Sequence, residues 1–313
     1  MKAVVLDADS LGGDIDLAPI RSQVDQLDVW PATAPGQVAE RLQNAEIVLT
    51  NKVVIEAGVI SALPRLQLIC VLATGTNNID MQAAGECNVA VRNVAAYGTE
   101  SVAQHALMMM LSLAVRLPLY QHDVRKGQWQ QAPFFCLMNH PVMQLAGSHL
   151  VLVGQGELGK RVAELAGAFG MHVSFAARPG HEGNDDRPPL AELAPRADIL
   201  SLHCPLTSST HQLLDSEMIA RLPEHALLIN CARGGIINEE AALTALQAGR
   251  LGGLGVDVLP EEPPRQGHAL LSALNDEVLN LIVTPHSAWT TLQARQRIVE
   301  LSADNIHAFL GDG

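Results

Sequence analysis

The sequence is short of basic residues, of long apolar runs and of paired cysteines, and each shortage removes a class of function. Twenty Lys and Arg face 33 Asp and Glu, a formal charge of −13, so the chain lacks the basic face that a nucleic acid or an anionic membrane surface demands. An anionic small substrate stays open, provided that a locally placed cation or backbone N–H groups meet it. No uninterrupted apolar run reaches spanning length; the longest candidate, Ala103 to Val115, is broken by Gln104 and His105. The opening MKAVVLDADS has neither the charged start nor the apolar stretch of a secretory signal. Cys70, Cys87, Cys136, Cys204 and Cys231 are scattered without CxxC spacing, which fits a reduced, cytoplasmic setting and calls for no metal. No internal repeat is present, and the one biased segment, PGHEGNDDRPP, reads as a solvated connection.

What is there is an α/β pattern. The 313 residues exceed one usual core, and 48% of them are apolar, enough for two. Short apolar runs alternate with helix-like stretches, as in parallel sheets joined by crossover helices. A first series, AVVLDA, EIVLTN, QLICVLAT and VAVRN, has helix-like segments near residues 37–45, 56–62 and 80–86. A second series, HLVLV, HVSFAA, DILSLH, ALLIN, GGLGVDV and LIVTP, is doubly wound. Between them Thr99 to Leu117 is apolar almost all round, which predicts a buried helix with the Met108–Met110 run as packing. From Tyr120 to Ala146 periodicity weakens and Trp129, Pro133, Phe134, Phe135 and Pro141 gather, either as a subunit contact or as a packed surface loop. At the end of the chain Ile298, Leu301, Ile306 and Phe309 fall on one helical face, expected to return to the first domain.

A glycine loop opens the second series. G-Q-G-E-L-G, with Gly154, Gly156 and Gly159, lies between a strand and a helix. The first glycine makes the tight turn, the second lets backbone approach a pyrophosphate, and the third seats the helix on the sheet, so the pattern predicts a dinucleotide on the helix N-terminus. NAD sites place an acid at the end of the next strand, but here Ala177 is followed by Arg178. An arginine there pairs with a 2′-phosphate, so NADP(H) is favoured while NAD(H), with Arg178 merely solvated, stays open.

Three further strand ends carry an arginine, a glutamate and a histidine. Arg233 stands in N-C-A-R-G-G, Glu262 in V-D-V-L-P-E-E-P and His286 in T-P-H-S-A-W. Ligands of open α/β sheets bind beyond the carboxyl ends of strands, so all three are expected at one crevice. Reduction of a 2-keto acid needs a cation for the carboxylate, a hydride donor and an acid for the developing alkoxide. Arg233 suits the first task, and His286 the last, with Glu262 orienting the ring through its other nitrogen. Cys204 and Cys231 have no paired base and read as small packing residues.

On these motifs, 29 positions apart from Arg233 to Glu262, the chain resembles the D-isomer-specific 2-hydroxyacid dehydrogenases over essentially its whole length. Within them it is similar to bacterial glycerate dehydrogenases, also called hydroxypyruvate reductases, at LDADSLGGDIDLAPI, TNKVV, ATGTNNID, YGTESVAQH and PHSAW followed by ARQR. The resemblance implies a Rossmann-type dinucleotide-binding domain over residues 99–286, inserted in a flavodoxin-like substrate domain of 1–98 and 287–313. It implies that backbone at Thr74, Gly75 and Thr76 binds a substrate carboxylate together with Arg233 and His286. The cofactor would be lined by Thr99, Gln155, Glu157 and Leu158 of the glycine loop region, His203, Cys204, Pro205, Cys231, Ala232 and Asp257, the last near the carboxamide. It also implies a homodimer with the 120–146 arm near the neighbouring active site. The expected activity is reduction of hydroxypyruvate and glyoxylate. A dehydrogenase of another 2-hydroxy acid, or a non-enzymatic NAD(H)-sensing protein of the same fold, stays open.

Overall fold

Apolar runs without alternation become strands buried on both faces, and both sheets are built from them. The computed structural model describes residues 1–276 and 278–311. The chain divides into two units, Met1–Gly98 with Trp289–Gly313, and Thr99–Ala288.

In the first unit β1 (Lys2–Val5), β2 (Gln26–Val29), β3 (Ile47–Thr50), β4 (Leu68–Val71) and β5 (Ala90–Asn93) form a parallel sheet in the order β2-β1-β3-β4-β5. This is the flavodoxin-like order. Alternate residues serve opposite faces: Val4, Val48 and Ile69 pack in one apolar layer, and Ala3, Val5, Ile47, Leu49 and Cys70 in the other. The C-terminal helix Leu292–Gly311 adds Ile298, Val299, Ala303 and Ile306 to the second layer, so the end of the chain does complete the first unit. Nothing in the apolar pattern predicts β2. Its QLDV segment carries Asp28 and is exposed at both ends, yet the ladder to β1 holds it as an edge strand.

The second unit has β6 (His149–Val153), β7 (His172–Phe175), β8 (Ile199–Leu202), β9 (Leu227–Asn230), β10 (Gly253–Val256) and β11 (Leu281–Val283). All pair in parallel, in the order β11-β10-β9-β8-β6-β7. The winding reverses between β6 and β8, which is where such sheets open a crevice for ligand. The full doubly wound order carries one more strand outside β7. Here the chain returns through Pro188 and Pro189 with one backbone bond, Ala177 N–H to Pro188 O at 2.8 Å, because proline supplies no N–H to a ladder.

The helix Thr99–Ala114 buries Ala103, Ala106, Met109, Met110 and Leu113 against one face of this sheet. It stops where Arg116 takes a left-handed conformation, φ +54°. A second helix, Leu117–Arg125, follows where the sequence pattern gave only irregular chain. Beyond it the arm is largely irregular to residue 146, apart from one turn at Trp129–Gln131.

Candidate active site

The carboxyl ends of β6 and β8 meet through glycine. At Gly154, φ +108°, a Cβ would lie 2.4 Å from the His203 carbonyl oxygen, so any side chain would force the two strand-end turns apart. A Cβ on Gly159 would lie 2.0 Å from the Gly154 oxygen, which seats the helix Glu157–Ala168 directly on the loop. Gly156 faces open space, with nothing within 4 Å of its Cβ position. It also stands at the helix N-terminus, where no side chain caps the first N–H groups. Those donors and the helix dipole suit an anion in the space that Gly156 leaves clear.

His203 closes this corner. Its Nε2 is 2.9 Å from Ser201 Oγ, while its Nδ1 is buried without a protein partner. Burial pushes the ring down to about 4, so it is neutral at physiological pH. The open glycine cradle, the uncapped helix and the orphaned imidazole nitrogen together fit a dinucleotide. Thr99 fixes the rim by donating from Oγ1 to Glu157 Oε1 at 2.8 Å. At the end of β7, Ala176 and Ala177 are buried and Arg178 is exposed, its guanidinium in no ion pair among the described residues.

The turn after β9 is folded by Asn230, itself fully buried. Its Oδ1 accepts from Ala232 N–H at 3.0 Å and its Nδ2 donates to the Arg233 carbonyl at 2.8 Å. Cys231 and Ala232 are thereby buried and Arg233 is exposed, its Nη1 donating to Ala232 O at 2.7 Å. Gly234 then touches the neighbouring turn after β10: a Cβ there would be 2.0 Å from the Leu259 carbonyl carbon. Backbone against backbone, this contact brings the arginine turn to the turn that holds Glu262.

Glu262 bridges two elements. Oε1 accepts from Leu259 N–H at 2.8 Å, and Oε2 meets His286 Nδ1 at 2.5 Å. Each side chain is about one-third exposed, at 33% and 35%. The ring is placed by Asp257, which is 1% exposed. Asp257 Oδ1 accepts from Ser287 N–H at 2.9 Å and from Thr284 Oγ1 at 2.5 Å, and Oδ2 accepts from Ala288 N–H at 3.0 Å. Its carbonyl accepts from His286 N–H at 2.7 Å. These bonds hold His286 in a left-handed conformation, φ +50°, which a non-glycine residue adopts only where its surroundings compel it. His105, from the helix Thr99–Ala114, reaches Thr284 Oγ1 at 3.0 Å. Burial lowers its basicity and Asp257, 3.5 Å away, partly restores it.

The structure therefore joins Glu262 to His286 directly, and Arg233 to them through adjoining turns. The glycine loop, the His203-Cys204-Pro205 turn, Cys231, Ala232 and Asp257 stand at carboxyl ends of the same sheet. Burial pushes the Cys204 thiol up to about 11 and raises Cys231 further, so both are packing groups rather than nucleophiles. In the first unit Thr74, Gly75 and Thr76 follow β4, with Asn93 Nδ2 donating to the Thr74 carbonyl at 2.6 Å.

This arrangement has known counterparts. The model of the D-isomer specific 2-hydroxyacid dehydrogenase NAD binding domain matches residues 107–288. The chain belongs to the D-isomer specific 2-hydroxyacid dehydrogenases. It is 37% identical to a glycerate dehydrogenase of Methylorubrum extorquens, covering 99% of this chain and 96% of that one. A hydroxypyruvate reductase of Blautia hydrogenotrophica is 32% identical, over 99% and 97% respectively. Among solved structures, an NADPH-dependent glyoxylate/hydroxypyruvate reductase of Sinorhizobium meliloti, in complex with NADP and malonate, superposes with a TM-score of 0.78 at 25% identity, covering 100% of this chain and 94% of that chain.

In this dehydrogenase several supporting residues carry no sequence signal of their own. Asn230 lies inside the arginine motif, and Thr284 precedes Pro285-His286, so proximity alone could have drawn attention to them. His105 lies 179 residues from Thr284, and only the fold pairs them.

Proposed function

We propose that this dehydrogenase reduces hydroxypyruvate to D-glycerate and glyoxylate to glycolate, with NADPH favoured over NADH. The observation that carries the reading is the Glu262–His286 bond beside the Arg233 turn, at the sheet edge that also bears the glycine cradle. A nicotinamide cofactor bound there supplies the hydride to C2 of the keto acid. Arg233 pairs its guanidinium with the substrate carboxylate and polarises the adjacent carbonyl. Because His286 Nδ1 faces a carboxylate, that nitrogen keeps its proton, and the transferable proton sits on Nε2, which gives it to the developing alkoxide oxygen. Glu262 orients the ring through Oε2 while Leu259 N–H fixes the carboxylate through Oε1. For the first unit we propose that the Thr74–Thr76 turn offers backbone N–H groups to a carboxylate. Arg178 would meet the 2′-phosphate.

The assembly reading is a homodimer. Phe134, Phe135, Met138 and Val142 are 74%, 90%, 85% and 58% exposed on the arm, an apolar area that a second copy would cover. No single helix among the described residues is long and apolar enough to cross a membrane, and a cytoplasmic location is proposed with the reduced cysteines. Initial rates with hydroxypyruvate, glyoxylate and pyruvate, each with NADH and NADPH, test the proposal. Faster turnover of hydroxypyruvate than pyruvate, with NADPH ahead, is expected. Fast pyruvate turnover would reassign the substrate, and no turnover despite cofactor binding would favour a sensing role.

A further inference from the structure

The loop that follows β7 brings a carboxylate back onto the backbone of Arg178, yet that carboxylate is fully engaged. Asp185 Oδ1 accepts from Arg187 N–H at 3.0 Å and from Arg187 Nε at 2.7 Å. Its Oδ2 accepts from Arg178 N–H at 2.8 Å and from Arg187 Nη2. An ionised carboxylate offers about four lone-pair sites, and these donors fill them. The bond to Arg178 N–H puts Asp185 against the backbone three residues past the end of β7, so its charge is felt near the carboxyl end of that strand, where the adenosine ribose of a dinucleotide belongs. The bidentate fork of Arg187 neutralises that charge at short range. The side chains are 14% and 27% exposed, and the pairing holds the Asp185 carboxyl far below the usual carboxylate range. Of the other loop carboxylates, Glu182 is exposed and accepts from Gly180 N–H at 3.0 Å, and Asp186 is exposed.

We propose that Arg187 is a specificity-determining residue for the cofactor: by occupying and neutralising Asp185, it leaves the Arg178 guanidinium as the charge presented to the adenosine 2′-position. Without Arg187, Asp185 keeps its place on Arg178 N–H but gains free lone pairs and an uncompensated charge. It then accepts from a ribose 2′-hydroxyl and repels a 2′-phosphate, and both effects turn the site towards NADH. The preference thus resides in an ion pair one step behind the cofactor. This deepens the NADPH reading and is tested apart from it.

The test is binding, not turnover. Dissociation constants of NADPH and NADH are measured by calorimetry on the full chain, native and substituted. Arg187→Ala should raise the ratio of the NADPH to the NADH constant by about tenfold or more, the scale of one unscreened like-charge contact. Arg187→Lys, which keeps the charge, should stay within about threefold of native, and the double variant Asp185→Ala/Arg187→Ala should return towards the native ratio. Asp186→Asn should change it less than about twofold, as an exposed, screened charge does. An unchanged ratio in Arg187→Ala overturns the proposal. So does failure of the double variant to restore it, because loop geometry rather than charge would then set the ratio. The native ratio judges the NADPH reading separately: tighter NADH in the native chain refutes that reading, while the shift on removing Arg187 is scored from whatever value the native chain has.

Discussion

His203 makes acid stability the sharpest physical prediction. Burial pushes this imidazole from its ordinary 6.5 down to about 4, so the folded chain binds its proton less readily than the unfolded chain. The sign follows: the contribution is fully present above pH 6.5 and is lost as pH falls towards 4. With those two values, linkage gives a loss of up to about 1.4 kcal/mol between pH 8 and pH 5.5 from this one side chain. Replacing His203 by Gln keeps an amide near Ser201 Oγ and removes the titration. Urea unfolding followed by circular dichroism at both pH values, with equal slopes required, yields the difference between native and variant. The native chain should lose about 1 kcal/mol more than the variant. Equal losses would show that the imidazole charges freely in the folded state, and the account of His203 as a ring held neutral by burial would fail.

Other perturbations address the site itself. His286→Ala should lower kcat by about 10²–10⁴-fold while the NADPH dissociation constant stays within about twofold, the range for removal of a general acid; retained turnover defeats its assignment. Glu262→Gln keeps shape but removes the carboxylate facing Nδ1, and kcat should fall about 10²-fold with an altered pH–rate profile, so an unchanged profile would count against the orienting role. Gly234→Ala sets a methyl group 2.0 Å from Leu259, which should cost about 1–3 kcal/mol in unfolding free energy and raise KM for the keto acid. Thr284→Val breaks the links to Asp257 and His105; about 1–3 kcal/mol of stability should go with them in urea titrations, and a neutral result would show the network to be dispensable.

Much of this was legible in the residues because burial on both faces writes itself as apolar runs. EIVLTN, QLICVLAT, HLVLV and ALLIN could hardly be anything but central strands, and their helical partners followed from length. β2 escaped because an edge strand needs only one apolar contact row, and Asp28 breaks even that. The helix Leu117–Arg125 escaped for a related reason: Leu117 and Val124 are exposed, so no apolar face repeats at helical spacing. At the site, residue type and neighbouring glycine or proline mark Arg233, Glu262 and His286 as candidates, since a charged group at a strand end is visible locally. The Asp257–Thr284–His105 chain and the saturation of Asp185 are not visible in that way. They depend on which strand lies beside which and on lone pairs counted in space, and neither is written in linear spacing.

The contact at Gly234 has a consequence for altering substrate range. With no side chain between them, the arginine turn and the Leu259–Pro260 backbone share one surface, so they shift as a single body. Lengthening or reshaping the segment from Val258 to Glu262 would displace the turn that bears Arg233 as surely as Glu262 itself. Variation in this dehydrogenase's choice of keto acid is therefore better sought in elements that do not bear on that shared backbone.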